Sequence, residues 1–295
     1  MNENLILREL DSNFIIRMRY AFQDRENLYL AMPNLGGGDL RFHIIQRRVF
    51  DERETRFFMA CIIAALEHVH SKGILHRDLK PENLVFDDAG YLYLTDFGVS
   101  KYWRPENSED TSGTPGYMAP EVLCRRNHSY SVDYYALGVM MYECMVGKRP
   151  YLGKTRKEIK EQVLAKQATV KTSDVVGAWS PEAIHLCNAL LQRKRVKRLG
   201  ENGPNEIKCH PFFKGFNWDE MSQGKMRAPF VPPRQDNFDR NNAARIDEFF
   251  ELRDLELLKK KSVQTLFLGY EYDERVALAH RKTSELSYFK STAVA

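Results

Sequence analysis

The chain has 295 residues, 43% of them hydrophobic, enough for one large core or two small ones, which excludes disorder throughout. Its 44 Lys plus Arg against 40 Asp plus Glu leave a formal charge of +4, too slight an excess to make nucleic acid the expected main partner. The longest apolar run, Phe57 to Leu66, is about half of what a bilayer-spanning helix needs, and no signal-peptide pattern opens the chain. Five widely spaced cysteines (Cys61, Cys124, Cys144, Cys187, Cys209) form no Cys-x-x-Cys pair and read as buried free thiols, which points to the reducing cytoplasm or nucleus.

In chain order, Leu5, Ile6, Leu7 and Leu10 suit the end of a helix. Phe14 to Phe22 and Asn27 to Met32 then read as two strands split by a polar turn, a ribbon that is marginal alone. From Asp39, a candidate N-cap, the period turns helical. Glu52 to Ser71 places Phe57, Phe58, Cys61, Ile62, Leu66 and Val69 largely on one face, and Gly73 ends it. Short strands follow at Leu84 to Phe86 and Tyr91 to Thr95 around the turn at Asp87 to Gly90, then helices at about Ser131 to Val146, Arg156 to Lys166 and Pro181 to Gln192. The proline-rich stretch Ala228 to Asp239 reads as an extended strap, Ala243 to Lys261 as a further helix, and the end from Asp273 as loosely held. No repeat or low-complexity tract is present.

The chemistry is concentrated in His76-Arg77-Asp78-Leu79-Lys80-Pro81-Glu82-Asn83, followed by Asp96-Phe97-Gly98 and Ala119-Pro120-Glu121. In that order and spacing these resemble the catalytic loop, metal-binding turn and end of the activation segment of a eukaryotic protein kinase. The roles that follow are the general ones of that family. Asp78 is the expected base for the substrate hydroxyl, Lys80 a cation for the γ-phosphate, and Asn83 and Asp96 the oxygen ligands that Mg²⁺ prefers. The resemblance implies an α+β kinase fold with a truncated small β lobe over residues 1–35, a mainly helical large lobe over 36–213 and a C-terminal tail over 214–295. It also implies ATP and Mg²⁺ as cofactors and protein substrates as partners.

The wording Lys80-Pro81-Glu82-Asn83 is similar to Ser/Thr kinases. Tyr20-Ala21-Phe22-Gln23, Gly37-Gly38-Asp39-Leu40, Gly113-Thr114-Pro115-Gly116-Tyr117-Met118, Ala228-Pro229-Phe230-Val231-Pro232 and Asn237-Phe238-Asp239 resemble the AGC group. Gly37-Gly38-Asp39-Leu40-Arg41 is reminiscent of its YANK branch. At matching positions the resemblance implies a gatekeeper at Met32, the Pro33 carbonyl and Leu35 amide at the adenine edge, and Val85 beneath the adenine. It aligns Leu7, Met18, His76 and Phe97 as the regulatory spine, anchors the catalytic loop on Asp133 and pairs Arg198 with Glu121. That pairing makes Arg193-Lys194-Arg195-Val196-Lys197-Arg198 a solvated face with one structural arginine, not a nucleic-acid patch. Asp39, Glu82 and Glu143 match the acids that hold substrate arginines, which implies basic residues about two to three positions before the Ser/Thr acceptor.

Three departures from the family stand out. Asp110 takes the place of the activating phosphothreonine, next to Thr111, and implies a loop ordered by pairing with Arg77 without phosphorylation. Phe267-Leu268-Gly269-Tyr270-Glu271-Tyr272 looks like the AGC hydrophobic motif, with Glu271 at the phosphoacceptor position. No Gly-x-Gly-x-x-Gly occurs, and the first lysine is Lys72, so Glu3, which matches the helix glutamate of the Lys-Glu pair, has no third-strand lysine to meet. Either Met1 is internal to a longer protein, which the intact downstream residues favour, or the chain is a pseudokinase scaffold that binds partners through its large lobe.

Overall fold

Helix α1 (Asn2–Glu9) turns Ile6 and Leu7 inward and gives up its outer face, where Leu5 is exposed. The computed structural model describes residues 2–24, 27–233 and 269–277. After α1 the chain runs extended through Phe14–Met18 before strand β1 (Tyr20–Gln23), which pairs antiparallel with β2 (Leu28–Ala31). The first strand is therefore shorter than the apolar run that suggested it. Phe14, Ile15, Ile16 and Met18 are all buried rather than alternating, because this stretch spends its hydrogen bonds on the large lobe. Leu94 N donates to Phe14 O at 2.8 Å, and Ile16 N donates to Leu94 O at 3.0 Å.

The large lobe is built on α2 (Leu40–Arg47), α3 (Glu52–Ser71), α4 (Pro120–Leu123), α5 (Ser131–Val146), α6 (Arg156–Ala165), α7 (Pro181–Leu190), α8 (Pro204–Lys208) and α9 (Trp218–Ser222). Asp51 starts α3 with a reciprocal capping box, its side chain on Glu54 N and the Glu54 side chain on its own N–H. Helix α5 is apolar on nearly every side and almost wholly buried, as a helix at the centre of a bundle must be. It approaches α7 so closely that a Cβ on Gly138 would stand 2.8 Å from Leu190 Cβ. Two short antiparallel pairs supply the lobe's β structure among the described residues: β3 (Ile74–Leu75) pairs with β6 (Lys101–Tyr102), and β4 (Leu84–Phe86) with β5 (Leu92–Leu94).

The strap expected from Ala228 onward is held as far as it is described. Ala228 is buried, and the Phe230 ring packs edge-on against His43, Phe50, Phe58 and Phe86. Asn237-Phe238-Asp239, the expected helix Ala243 to Lys261 and Phe267 lie outside the described residues.

Two expectations about the ends change. The small-lobe ribbon gains a third strand, β7 (Tyr272–Asp273), which pairs antiparallel on β1 to give the order β2-β1-β7. The residues 273–277 are accordingly not loose: Glu274 is buried and forms ion pairs with Arg17 at 3.2 Å and with Arg19. An edge strand with unsatisfied amides and a capture site on α1 explain why so polar a segment settles here. Arg8 donates to the carbonyls of Gly269, Tyr270 and Glu271, and Asn4 Nδ2 donates to Tyr270 O at 2.9 Å. Cys61, Cys144 and Cys187 are buried free thiols, whereas Cys124 is half-buried and Cys209 exposed, because α8 ends at the surface. Among the described residues no helix is long and apolar enough to cross a membrane.

Candidate active site

Strand β3 delivers the chain into the loop that carries Asp78, and helix α5 fixes that loop. Asp133, fully buried in the first turn of α5, accepts from His76 N at 3.0 Å, Arg77 N at 2.8 Å and His70 Nε2 at 2.8 Å. Burial alone would raise its pKa, but these donors hold it below the usual carboxylate range. The clamp keeps Arg77 at φ 69°, a left-handed backbone that a non-glycine residue adopts only when its surroundings dictate it.

Asp78 is thereby presented to the cleft with both oxygens engaged. Oδ1 accepts from Thr114 N at 2.8 Å and Thr114 Oγ1 at 2.7 Å, and Oδ2 from Lys80 Nζ at 2.7 Å. Burial opposes its ionisation, but Lys80 and Thr114 outweigh it, so its pKa lies below the ordinary value and the carboxylate is charged at neutral pH. A 3-10 turn over Pro81–Asn83 then brings back Asn83, whose Nδ2 donates to Asp78 O at 2.9 Å. That bond uses the amide nitrogen and not the amide oxygen, a hard donor.

The hairpin β4–β5 carries the opposite wall. Asp96 follows it at φ 60° and accepts from Gly98 N at 3.1 Å, while Phe97 turns into the core against the His76 ring, centroids 5.0 Å apart. Leu7 and Met18 are buried on the small-lobe side of this pair. Glu3 of α1 faces the Phe97 backbone, which favours its charge. Burial first, and the nearby Asp96 charge second, push its carboxyl up. Among the described residues no ion pair joins Glu3 to a lysine; Lys72 is the C-cap of α3 in the other lobe.

Asn83 and Asp96 offer hard oxygens only. Among the described residues no cluster of three or more His, Cys, Asp or Glu forms a closed metal cage. This donor set fits Mg²⁺, which takes one or two protein carboxylates and completes its shell with phosphate and water.

Strand β2 leads into the connection to α2 through Met32, Pro33 and Leu35, all half-buried, and Val85 of β4 is half-buried opposite, bridged to Asp39. Gly37 crosses β4 there, with Gly37 N on Phe86 O at 3.0 Å and Phe86 N on Gly38 O at 2.9 Å. A Cβ on Gly37 would stand 2.6 Å from Phe86 Cβ, so only glycine fits.

The three expected substrate acids are differently placed. Asp39 spends one oxygen capping α2, on Phe42 N at 2.8 Å. Glu82 and Glu143 converge, but on a residue of this chain: Arg41 binds Glu82 Oε1 at 2.9 Å and Glu143 Oε1 at 2.8 Å.

The sequence profile described as Protein kinase domain matches residues 1–213. The chain belongs to the protein kinase family. It is 41% identical over 78% of its length to a probable serine/threonine-protein kinase of Dictyostelium discoideum, of which the match covers 50%. It is also 35% identical over 85% of its length to Serine/threonine-protein kinase sgk-1 of Caenorhabditis elegans, covering 53% of it. Ribosomal protein S6 kinase alpha-6 of Homo sapiens is 39% identical over 78% of the chain, with 30% of that protein covered. The chain thus spans about half or less of the curated relatives it matches, and the sgk and S6 kinases are AGC members, as the resemblance implied.

In the activation segment of this kinase chain Asp110 is buried among cations. Its carboxylate pairs with Lys101, with Arg104 at 3.4 Å and with Arg77 at 3.8 Å. Burial works against the charge, yet Lys101, Arg77 and Arg104 hold its pKa below the ordinary value. Thr111 is half-buried beside it, its carbonyl accepting from Arg156 Nη2 at 2.7 Å. Arg198 and Glu121 form a buried two-pronged pair at 2.6 and 2.9 Å, and Arg195 pairs with Glu201 at 3.1 Å, so the basic run is partly structural.

Tyr270 is buried, while Phe267 lies outside the described residues. Thr114, Tyr117 and Arg41 carry site contacts that no sequence argument assigned. Thr114 stood inside a quoted motif and could have been read as a hydroxyl donor; nothing in the sequence ties Arg41 to an acid 102 residues away.

Proposed function

We propose that the chain transfers the γ-phosphoryl group of ATP to a serine or threonine hydroxyl of a protein substrate. The observation that supports this most is the ionised Asp78, steadied by Lys80 and Thr114, beside the hard-oxygen pair Asn83 and Asp96. The substrate oxygen forms a bond to the γ-phosphorus, its proton passes to Asp78, and the bond from phosphorus to the β,γ-bridging oxygen breaks, leaving its electron pair on ADP. Lys80 offers charge to the transferring group. Asn83 and Asp96 would hold Mg²⁺, which when bound neutralises the phosphate charge. Met32, Leu35 and Val85 would frame the adenine, with the Glu82 loop beneath the ribose side.

Basic residues before the acceptor would be met by those of Asp39, Glu82 and Glu143 that are open to pairing, and the last two already hold Arg41. Asp110 would stand for a phosphothreonine, ordering the segment through Arg77, and Tyr270 with Phe267 would dock the tail on the small lobe. A cytoplasmic or nuclear place suits the free thiols. The test is ADP formation with ATP, Mg²⁺ and a Ser/Thr peptide library. The expected result is peptide-dependent turnover that Asp78→Asn lowers at least about a hundredfold. Nucleotide binding without turnover in the unaltered chain would favour a scaffold.

A further inference from the structure

Arg41 lies in the first turn of α2, two residues after Asp39, and its guanidinium lies between Glu82 and Glu143. Nε donates to Glu82 Oε1 at 2.9 Å, and Nη1 and Nη2 fork onto the two Glu143 oxygens at 2.8 and 3.1 Å. Nη2 also donates to the Tyr117 hydroxyl, whose own proton goes to Glu143 Oε2 at 2.8 Å. A planar fork against a carboxylate is the geometry an incoming arginine would need. Glu143 is almost wholly buried, so its charge is satisfied from within the chain. A second cation, Arg149, lies over the Tyr117 ring with its guanidinium carbon 5.8 Å from the centroid. Both oxygens of Glu143 and one of Glu82 are thus already taken by Arg41, and a second cation stands nearby.

We infer that Arg41 is a built-in occupant of the arginine subsite formed by Glu82 and Glu143, so that this subsite accepts non-basic side chains and basic selection is left to Asp39. The inference rests on the reading above that these acids face the substrate.

The test uses the full chain and two fluorescent peptides with alanine at the acceptor, identical except for Arg or Ala two residues before it, followed by anisotropy. The unaltered protein should scarcely distinguish them. Arg41→Ala should prefer the arginine peptide by about tenfold or more, the gain expected when a charge-assisted fork becomes available to the ligand. Glu82→Gln combined with Arg41→Ala should remove most of that gain. Should Arg41→Ala fail to melt cooperatively, Arg41→Gln, which keeps the aliphatic stem and a neutral donor near the Nε position but lacks the fork on Glu143, is held to the same criterion. A clear arginine preference in the unaltered chain overturns the inference, as does a folded variant that gains none or binding of neither peptide. Turnover of the serine counterparts is scored separately: unmasked arginine binding without turnover sinks the proposed activity and leaves this inference standing, and turnover without unmasking does the reverse.

Discussion

The Thr114 hydroxyl and amide both bond the same oxygen of Asp78, so Thr114→Ala removes one charge-assisted hydrogen bond from the base while leaving the backbone one. A bond of that kind contributes about 1.5–3 kcal/mol, so kcat should fall roughly ten- to a hundredfold, with Thr114→Ser restoring most of it. Because the hydroxyl helps depress the Asp78 pKa, the acid limb of the kcat/KM profile should move to higher pH in the alanine variant. Asp110 makes a different claim. Removing its carboxylate leaves the buried Arg77 short of its counter-charge, for which losses of about 3 kcal/mol are typical, so Asp110→Ala should lower both melting temperature and turnover. Its folded pKa is depressed, so its stabilisation is fully present above the unfolded value of 3.8 and disappears as pH falls through the lower folded value. Urea denaturation of the parent and Asp110→Ala should therefore converge in strong acid; equal stability of the two at pH 7 would refute the pairing.

Elements meet in this molecule through a few crowded or polar crossings. The backbone of Gly37 passes between Phe86 and Pro232, joining the hinge, β4 and the strap in one contact. Gly37→Ala should cost about 1–3 kcal/mol by overpacking, read as a lowered melting temperature. The contact of α1 with the tail is polar instead, resting on Arg8 and Asn4 against the carbonyls of Gly269, Tyr270 and Glu271. Arg8→Ala should therefore speed hydrogen exchange at β1 and β7 several-fold while leaving α3 and α5 unchanged; uniform protection would show that strand pairing alone retains the tail.

Over the whole molecule, the small-lobe stretch Phe14–Ile16 is tied to the large lobe by its hydrogen bonds to Leu94, and Leu7, Met18 and Phe97 all belong to one buried core. ATP with Mg²⁺ at about a hundred times its dissociation constant should add roughly 2.7 kcal/mol of stability. Asp96→Asn should abolish the magnesium-dependent part of that thermal shift and spare any part due to nucleotide alone. An unchanged shift would remove Asp96 from the metal site.

Much of this was legible locally. Gly73 ends the helix expected over Glu52 to Ser71 because a left-handed turn acts within a few residues, and the helix expected at about Ser131 to Val146 is α5. The string from His76 to Asn83 pointed to the kinase family because its motif residues lie within one loop. What joins distant segments was decided only by folding. Phe14–Met18 has strand composition but serves as a tie to Leu94, and Tyr272–Asp273 has tail composition but completes a sheet, since edge amides accept any backbone that reaches them. Arg41, an unremarkable helix-surface residue by sequence, becomes the partner of Glu143 because folding brings α2 within side-chain reach of a residue 102 positions away. Local propensity determined the elements and the reactive groups; the three-dimensional packing alone determined which charges meet, because an ion pair depends on distance in space and not along the chain.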